Sequence, residues 1–334
     1  MNDAPLIVVY EDRQSAVPGV ELLVRSLALH SPSLSIAVYS PLGEMAALAN
    51  EITQLNWVPT HDLVGKGWNA KPTILMRGLK DSEQVLWLDS DVIMIGDITP
   101  LLARYPSGSL VVGQEFRDRA LLRSKIRAEG FGFALARDIP YAVNSGSILA
   151  DRSHYSLLEE WAALLHRPDY MAAQALPVEQ RPPAFVGDQD ALWALLVSAR
   201  FIDIPMDYFR VGRDMILHCG ANGYHVTNRI GHIFSCTAVF VHMLGRYKPW
   251  SFGKDISARH DRNAYINQIC FELSPYFEGA QPFRSYLGEP DWLRRRTMSA
   301  RLMHRLFFGH RALQGLMPAL AGLVTELFGR SRTG

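Results

Sequence analysis

Two aspartates, Asp89 and Asp91, come directly after the apolar run 85–88 and are separated by one small residue. Four consecutive apolar residues predict a strand that is buried on both faces. Because residues two apart on a strand point to the same side, the two carboxylates converge where the strand ends. Carboxylates that close repel each other unless a cation lies between them. Mg²⁺ or Mn²⁺ is commonly held by one or two carboxylates together with substrate phosphates. The pattern therefore predicts a metal site for a phosphorylated substrate, although an isolated D-x-D also fits a turn cap beside a solvated acid.

A histidine, His242, lies at the end of another long apolar run, residues 233–243, much later in the chain, and a lysine, Lys248, follows that run. The neutral imidazole of His242 is a suitable third ligand for a metal such as Mn²⁺. Gly245 permits close approach of the backbone to a ligand, and Lys248 offers an ammonium group to a phosphate. A lone histidine at the end of a strand is also a common core residue, so both interpretations stay open at this point.

The elements that must position these side chains alternate between strand and helix. Apolar runs predict strands at 6–10, 34–39 and 55–58, and apolar residues at helical spacing predict helices at 17–30 and 43–50. This order predicts a parallel sheet with right-handed crossovers, whose ligands bind at the carboxyl ends of the strands. No glycine-rich phosphate-binding motif follows the first strand, which argues against a dinucleotide-binding or P-loop protein.

Three local patterns lead to more detailed predictions. Asn69 is expected to cap a helix that runs to about Lys80. The charged, glycine-containing segment 115–137 is expected to be a mobile or partly helical insertion and a candidate lid. Asp188 and Asp190 are expected just before a helix over 191–199, where acids serve equally well as plain N-terminal caps and as functional groups.

The composition is that of an ordinary soluble globular protein. The chain has 334 residues, of which 48% are hydrophobic and 20% charged. Three cysteines without C-x-x-C spacing make a disulfide framework or a structural zinc site unexpected, and favour a reducing compartment. The start of the chain lacks the pattern of a signal peptide, and the longest late uncharged run, 312–325, is too short to span a bilayer. We therefore expect a cytoplasmic protein.

The charge is unevenly distributed along the chain. Segment 292–334 contains eight arginines, no lysine and one acid, which gives it a charge of +7 and leaves −6 for the rest. A basic segment with interspersed aromatic and aliphatic residues is typical of an interfacial anchor on the inner face of a membrane, although a docked helix or a dimer contact is also compatible. The predicted organisation is a catalytic domain over 1–255, a helical extension over 256–291 and a basic amphipathic tail over 292–334.

Taken together, the two motifs resemble those of the family 8 glycosyltransferases, the group of glycogenin and the bacterial lipooligosaccharide galactosyltransferases. Residues 86–92 match the family's apolar strand with D-x-D, and 242–250 match its H-x-x-G-x-x-K-P-W. Residues 144–146 resemble its N-A-G segment and 188–190 its D-Q-D. The resemblance covers roughly residues 5–255. It implies a GT-A type α/β fold, with a mostly parallel central sheet flanked by helices and a C-terminal helical tail.

The resemblance also implies a metal site and a diphosphate site. Asp89, Asp91 and His242 would coordinate Mn²⁺ or Mg²⁺, and the ion would bind both phosphates of a nucleotide-sugar. Gly245, through its backbone, and Lys248 would contact the diphosphate. The implied reaction is metal-dependent transfer of a hexose, with retention, from a nucleotide-diphosphate sugar such as a UDP-sugar to a glycan or glycolipid acceptor. Nucleic acid is not an expected partner.

The nucleotide base and the donor sugar are assigned by the same resemblance. Tyr10 and Asp12 lie where the family holds the base, usually uracil. Five side chains are expected around the donor sugar: Lys71, Asn144, Ser145, Asp188 and Gln189. Asp188, Asp190 or the weaker Gln189 would be the nucleophile of a double displacement. We favour the alternative front-face route, in which the leaving phosphate assists the acceptor hydroxyl.

Three departures from the family leave parts of this interpretation open. Ser145 replaces the usual alanine, the loop 11–14 lacks the small residues common there, and the connection 167–186 is long and proline-rich. The first two departures concern the identity of the donor sugar and its base, and the third concerns the identity of the acceptor. The alternatives are an inverting glycosyltransferase, a nucleotidyltransferase that uses the same metal and carboxylates, and a catalytically silent binding protein.

Overall fold

The computed structural model describes residues 4–63, 65–115, 120–218, 237–245, 248–251 and 262–306. The chain divides into two compact units. Unit 1 contains Met1–Arg13, Ser33–Asp89 and Thr99–Phe209, and unit 2 contains Gln14–Pro32, Ser90–Ile98 and Arg210–Gly334. Each unit thus combines segments that are distant in sequence. The predicted domain boundaries near 255 and 291 stay a prediction.

The described residues form strands β1 (Leu6–Tyr10), β2 (Ile36–Ser40), β3 (Leu55–Pro59), β4 (Gln84–Leu88), β5 (Val92–Met94), β6 (Leu110–Gln114), β7 (Val143–Asp151), β8 (Met206–Phe209), β9 (Met215–His218) and β10 (Phe240–Met243). Their helices are α1 (Val17–His30), α2 (Glu44–Glu51), α3 (Lys71–Asp81), α4 (Thr99–Leu102), α5 (Ala120–Gly130), α6 (Tyr155–Leu165), α7 (Pro168–Gln174), α8 (Asp188–Leu196), α9 (Arg262–Glu272), α10 (Pro275–Ala280) and α11 (Met298–Leu306). The strands and helices predicted before residue 100 are confirmed to within two or three residues at their ends.

Unit 1 contains a seven-stranded sheet in the order β3-β2-β1-β4-β7-β6-β8. β1 pairs in parallel with β2 and β4, and β6 pairs in parallel with β8. β7 runs antiparallel to both of its neighbours, β4 and β6. The sheet is therefore mostly parallel, as the alternation of strands and helices predicts. Its core includes Val8, Trp87, Ile148 and Trp193, all of which are buried.

The antiparallel pair β4–β7 determines which residues lie opposite Asp89. Leu88 pairs with Ser147. The pairing extends one residue beyond β4, since the Asp89 N–H donates to the Gly146 carbonyl at 2.9 Å. Asp89 is thus placed beside the polar segment 144–146 that interrupts the apolar run of β7. A polar interruption in a buried strand requires hydrogen-bond partners, and these are found in the site described below.

Unit 2 contains a three-stranded sheet in the order β5-β10-β9, with β10 antiparallel to β5 and parallel to β9. Helices α1 and α10 pack on β5. The core of this unit joins Ile93 and Val241 from the sheet to Phe271, Tyr276 and Trp292 from the C-terminal part of the chain. Segment 271–292 therefore contributes to the core of unit 2.

Gly19 on α1 lies against two other segments of unit 2, at Ser90 and at Trp250. A Cβ atom at this position would lie 2.4 Å from Cη2 of Trp250 and 2.5 Å from the Ser90 carbonyl oxygen. Because no real Cβ atom tolerates such distances, glycine is required for this approach. The contact holds Trp250 and the backbone that carries Asp91 against the same helix.

Two predicted helix starts differ from the structure. The residue that precedes α3 is Ala70, which has no side-chain cap, and Asn69 lies in the 3₁₀ turn Gly67–Ala70. The predicted cap at Asn69 is wrong, because its Oδ1 accepts a 2.9 Å hydrogen bond from the Tyr170 hydroxyl instead. Helix α8 begins at Asp188, three residues earlier than predicted.

Part of the candidate lid 115–137 is the helix α5. Its residue Ser124 accepts a 2.9 Å hydrogen bond from the Trp193 indole, and Arg127 stacks on that indole at 4.2 Å from the ring centroid. Arg127 also pairs with the buried Asp190 of α8. The helical character is confirmed and this part of the segment is firmly packed, while residues 116–119 lie outside the described residues.

The basic tail is described as far as residue 306. Trp292 and Leu293 are buried, and the amphipathic helix α11 follows. Residues 307–334 of the predicted anchor lie outside the described residues. Among the helices of the described ranges, none combines the length and the hydrophobicity that crossing a membrane would need.

Candidate functional site

Lys71, the first residue of α3, is the centre of a polar cluster in unit 1. Its side chain is only 4% exposed. Its Nζ lies 3.1 Å from Oδ1 of Asp89 and 3.2 Å from Oδ2 of Asp188, and donates to Oγ of Ser145 at 2.9 Å. Burial alone would lower the pKa of this lysine, but the charges of Asp188 and Asp89 outweigh burial and raise it. Lys71 is therefore protonated at neutral pH and lies between the two carboxylates.

Asp188 is buried and accepts hydrogen bonds at the first turn of α8. Its Oδ2 accepts a 2.7 Å hydrogen bond from the Ser145 hydroxyl. Burial raises the pKa of the Asp188 carboxyl and the nearby Asp89 adds to this, while Lys71 and Ser145 act in the opposite direction. The next acid, Asp190, accepts from the Gly187 N–H at 2.8 Å, as a helix cap does. The structure thus separates two acids that look alike in sequence, because Asp190 caps the helix whereas Asp188 faces Lys71 and Ser145.

Asp89 is oriented by the strand that precedes it. The indole Nε1 of Trp87 donates to its Oδ1 at 2.8 Å. Trp87 and Asp89 are two residues apart, so both point to the same side of the chain. The indole and the Lys71 ammonium therefore fix the carboxylate from two directions, and 27% of the Asp89 side chain remains exposed.

Asp91, His242 and Lys248 form a second cluster, in unit 2. Nε2 of His242 lies 3.2 Å from Oδ1 of Asp91, and the Lys248 ammonium pairs with Oδ2 of the same carboxylate. Lys248 also donates to the Met243 carbonyl at 2.9 Å. Burial opposes ionisation of Asp91, but Lys248 and His242 outweigh it and hold the pKa of the Asp91 carboxyl well below its usual range. Asp91 is therefore an anion at neutral pH, as a metal ligand must be.

Asp89, Asp91 and His242 together have the chemistry of a metal site. Each offers one ligand atom, and these three atoms all lie within 4.8 Å of one another. Asp91 and His242 are buried, and Asp89 is half-buried. Two carboxylates and one imidazole leave further coordination positions for water or phosphate, which is the arrangement that suits Mn²⁺ or Mg²⁺ with a phosphorylated ligand. The residues present therefore fit a divalent ion.

Tyr10 and Asp12, at the end of β1, contact each other. The Tyr10 hydroxyl donates to Oδ2 of Asp12 at 3.2 Å, and the same oxygen accepts from the Gly67 N–H at 2.9 Å. Burial and the Asp12 charge raise the pKa of Tyr10, so its hydroxyl stays protonated and remains a donor. Asp12 thus ties the end of β1 to the turn that precedes Lys71.

Three other predicted site residues, Asn144, Gln189 and Gly245, lie outside the contacts described above. Asn144 donates from Nδ2 to Oε2 of Glu115 at 2.7 Å, and its Oδ1 accepts from the Gly146 N–H at 2.9 Å. Gln189 is half-buried in the first turn of α8. Gly245 is exposed and has a φ of 93°, in the left-handed region that favours glycine.

Sequence reasoning did not single out Trp87, Glu115 or Gly19. Trp87 could have been found, because residues two apart on a strand point to the same side, which places Trp87 on the side of Asp89. Glu115 and Gly19 gave no such signal. Their partners, Asn144 for Glu115 and Ser90 and Trp250 for Gly19, are distant in sequence and adjacent only in the fold.

Comparison with known proteins supports the fold. No family model and no curated protein matches the sequence. Among solved structures, the apo structure of the WbbM bifunctional glycosyltransferase aligns with a TM-score of 0.51 at 11% identity, over 86% of this chain and 52% of that one. This chain therefore spans about half the length of WbbM.

Two further solved structures align less closely. One is the galactosyltransferase LgtC in complex with donor and acceptor sugar analogs, at 18% identity and a TM-score of 0.45, over 78% of this chain and 94% of that one. The other is the glycosyltransferase GlyE of Streptococcus pneumoniae TIGR4, at 15% identity and a TM-score of 0.45, over 86% and 64%. The expected GT-A type α/β fold is confirmed, and the structural neighbours are glycosyltransferases. At such identities the likeness concerns the fold, so activity has to be argued from the site.

Proposed function

We propose that this protein is a metal-dependent glycosyltransferase that moves a hexose from a nucleotide-diphosphate sugar, with a UDP-sugar as the favoured donor, to a glycan or glycolipid acceptor. The observation that carries the proposal is the convergence of Asp89, Asp91 and His242 to within 4.8 Å. It occurs beside a buried cation, Lys71, and a second cation, Lys248, in a chain whose fold is that of glycosyltransferases.

The residues of the site suit a pyrophosphate leaving group. As that group departs it gains negative charge, which a bound divalent ion and fixed cations stabilise. Lys248 is already within reach of the ligand Asp91, and its side chain is 19% exposed. We propose that Lys248 and the backbone of Gly245 bind the diphosphate. Tyr10 and Asp12 would bind the base, and Asn144, Ser145 and Gln189 would surround the sugar.

Retention of configuration is proposed to follow the front-face route. Asp188 is the strongest candidate for a nucleophile, but its Oδ2 is occupied by the Ser145 hydroxyl and lies 3.2 Å from Lys71. Gln189 carries a neutral amide, which is a poor nucleophile. In the front-face route the bond from C1 to the phosphate oxygen breaks while the bond from C1 to the acceptor oxygen forms. The acceptor's proton passes to the leaving phosphate, so no protein nucleophile is required.

The loop after β1 argues against a nucleotidyltransferase. Oε1 of Glu11 accepts from the N–H groups of Asp12 and Arg13 at 3.2 and 3.0 Å, and the Arg13 guanidinium binds the same carboxylate at 2.7 Å. A phosphate cradle needs loop N–H groups that point at the ligand. Here two of those groups are occupied by a carboxylate of the protein.

The function can be tested with a panel of nucleotide-sugars, each added with and without Mn²⁺. We expect UDP-sugars to raise the melting temperature only when the metal is present, because ligand bound to the folded state stabilises it by mass action. Slow release of UDP under the same conditions would identify an enzyme rather than a binding protein. A protein that responds to no nucleotide-sugar with or without metal would contradict the proposal.

We also propose that the C-terminal region binds an anionic membrane surface on the inner face, where a glycolipid acceptor would be met. Three apolar residues spaced by four on α11 are mostly exposed: Met298 at 72%, Leu302 at 58% and Leu306 at 63%. Arg301 and Arg305, also exposed, lie between them in sequence. Apolar residues flanked by arginines suit a helix that lies in the interface of an anionic bilayer.

Replacing Leu302 and Leu306 by glutamate is expected to reduce co-sedimentation with phosphatidylserine-containing vesicles by at least about tenfold, since each buried leucine contributes roughly 1.5 kcal/mol. Leu29→Glu is the matched control, because Leu29 is an equally exposed leucine of α1 at 56%. Truncation before Trp292 would be a poor test, because it removes core residues of unit 2. Equal binding of the double variant and the control would contradict membrane docking through α11.

A further inference from the structure

Trp68 is a large aromatic side chain that is 44% exposed and yet held in a rigid setting. It lies in the 3₁₀ turn Gly67–Ala70, three residues before Lys71. Both of its neighbours are fixed by side chains from other parts of unit 1, since Asp12 accepts from the Gly67 N–H at 2.9 Å and Tyr170 donates to Asn69 at 2.9 Å. The indole therefore presents an apolar surface to solvent without the freedom of an ordinary surface side chain.

Arg181 connects Trp68 with the long connection 167–186. Its guanidinium carbon lies 5.8 Å from the centroid of the Trp68 ring. The same guanidinium donates to the carbonyls of Leu176 at 3.0 Å and Val186 at 2.7 Å, and to Oε1 of Gln174 at 2.7 Å. A proline-rich loop is thus pinned by one arginine that also stacks on the exposed tryptophan.

The pinned loop carries three exposed apolar side chains. Leu176, Val178 and Val186 are 41%, 49% and 37% exposed. Exposed apolar residues that are held in place by hydrogen bonds are typical of binding surfaces. The loop ends at Gly187, directly before Asp188, so the surface adjoins the cluster of Lys71, Ser145 and Asp188 in unit 1.

From this arrangement we infer that Trp68 and Arg181 form the platform for the acceptor sugar, a pyranose whose C–H face packs on the indole. The inference rests on the proposed function. The buried polar cluster around Lys71 suits the hydroxyls of the donor, whereas Trp68 faces the solvent from which the acceptor arrives. An amphipathic ring with a fixed orientation gives contact area at a small cost in conformational entropy. Four of the five N–H groups of the Arg181 guanidinium donate within the loop, so Arg181 would offer the remaining Nη2 N–H to a ring or exocyclic hydroxyl at the edge of the stack.

The test uses saturation-transfer NMR on the full chain with methyl glycosides of glucose, galactose and N-acetylglucosamine as probes. Trp68→Ala is expected to weaken binding of the glycoside that binds the wild-type protein by at least tenfold, and Trp68→Phe to retain most of it. Tyr286→Ala is the matched control, because Tyr286 is an exposed aromatic residue at 62% that also stacks against an arginine, Arg25 at 4.2 Å. This variant should bind as the wild type does.

Binding of a UDP-sugar with Mn²⁺ is measured on the same variants and is expected to be unchanged by Trp68→Ala. This second measurement separates the inference from the proposed function. If the wild type does not bind UDP-sugars, the proposed function fails. If the wild type binds UDP-sugars, any of three results overturns the platform. One is that the Trp68→Ala variant binds the glycoside as tightly as the wild type does, and another is that it loses as much affinity for the UDP-sugar as for the glycoside. The third result is that the wild-type protein binds none of the glycosides.

Discussion

Replacing Asp91 by asparagine is expected to abolish the stabilisation of this protein by Mn²⁺ and a UDP-sugar, and to reduce sugar transfer by at least about 100-fold. We expect a loss this large because Asp91 is a proposed metal ligand. Even residues that only support a metal ligand change metal affinity about 10–100-fold when they are replaced. Asparagine keeps the shape of the side chain but removes the charge that pairs with Lys248 and lies 3.2 Å from His242. The measurement is the metal-dependent shift in melting temperature together with the rate of nucleotide release.

This substitution also removes the charge of a buried, paired carboxylate, so its control is another buried carboxylate that pairs with a cation. Asp214 is fully buried in the same unit, and Arg213 donates to it at 2.7 Å. Asp214→Asn is expected to lower the melting temperature of the unliganded protein and to leave the response to metal and UDP-sugar intact. An Asp91→Asn protein that binds metal and nucleotide-sugar as the wild type does would refute the metal site.

Replacing Lys71 by methionine is expected to destabilise the protein by about 3–5 kcal/mol, which is the usual cost of removing one partner of a buried ion pair. The substitution leaves Asp89 and Asp188 facing each other without the cation that lies 3.1 and 3.2 Å from them. The free energy of unfolding in urea measures the effect. Lys125→Met is the control, because Lys125 is 61% exposed and its pairing with Glu129 contributes little.

The pH dependence of the Lys71→Met variant provides a second readout. Burial already raises the pKa of Asp188, and Lys71 is the strongest influence that lowers it. Without Lys71 the pKa of Asp188 rises further. The Asp188 carboxyl of the folded variant therefore keeps its proton at pH values where the same carboxyl in the unfolded chain, with an ordinary pKa of about 3.9, has lost it. A carboxyl with a raised pKa in the folded state costs stability as pH increases. We therefore expect the difference from wild type to be larger at pH 7.5 than at pH 5, and a variant as stable as wild type at pH 7.5 would contradict the role of Lys71.

Much of the fold could be predicted because it depends on local patterns. The buried runs that became β1 and β4, and the apolar spacing that became α1, specify their own type and nearly their own ends. The antiparallel direction of β7 could not be predicted in this way, since a buried strand reads the same in either direction. Its nine buried residues satisfy the core whichever way the chain runs.

The candidate site was predictable in its residue types more than in its contacts. The sequence indicated Asp188 and Asp190 equally, and only the structure shows that one faces Lys71 and Ser145 while the other caps α8. The distinction depends on which side of the first helical turn faces the end of β7. That orientation is set by packing of α8 on the sheet, which is not encoded in the motif itself.

The sequence by itself predicted that two carboxylates converge after a buried strand, from the two-residue period of a strand. In the structure the strand ends at Leu88, and Ser90 and Asp91 lie in a turn, so the turn and not the strand period places Asp91. The sequence also supplied the types of the distant partners, an imidazole at His242 and an ammonium at Lys248. Only the tertiary structure decided that Lys71 lies between Asp89 and Asp188 and bonds Ser145, a residue 74 positions away. Such contacts follow from strand order, register and helix orientation, which are settled when the whole core packs. Periodicity specifies which face of an element is buried, but it does not specify which residue lies across from it.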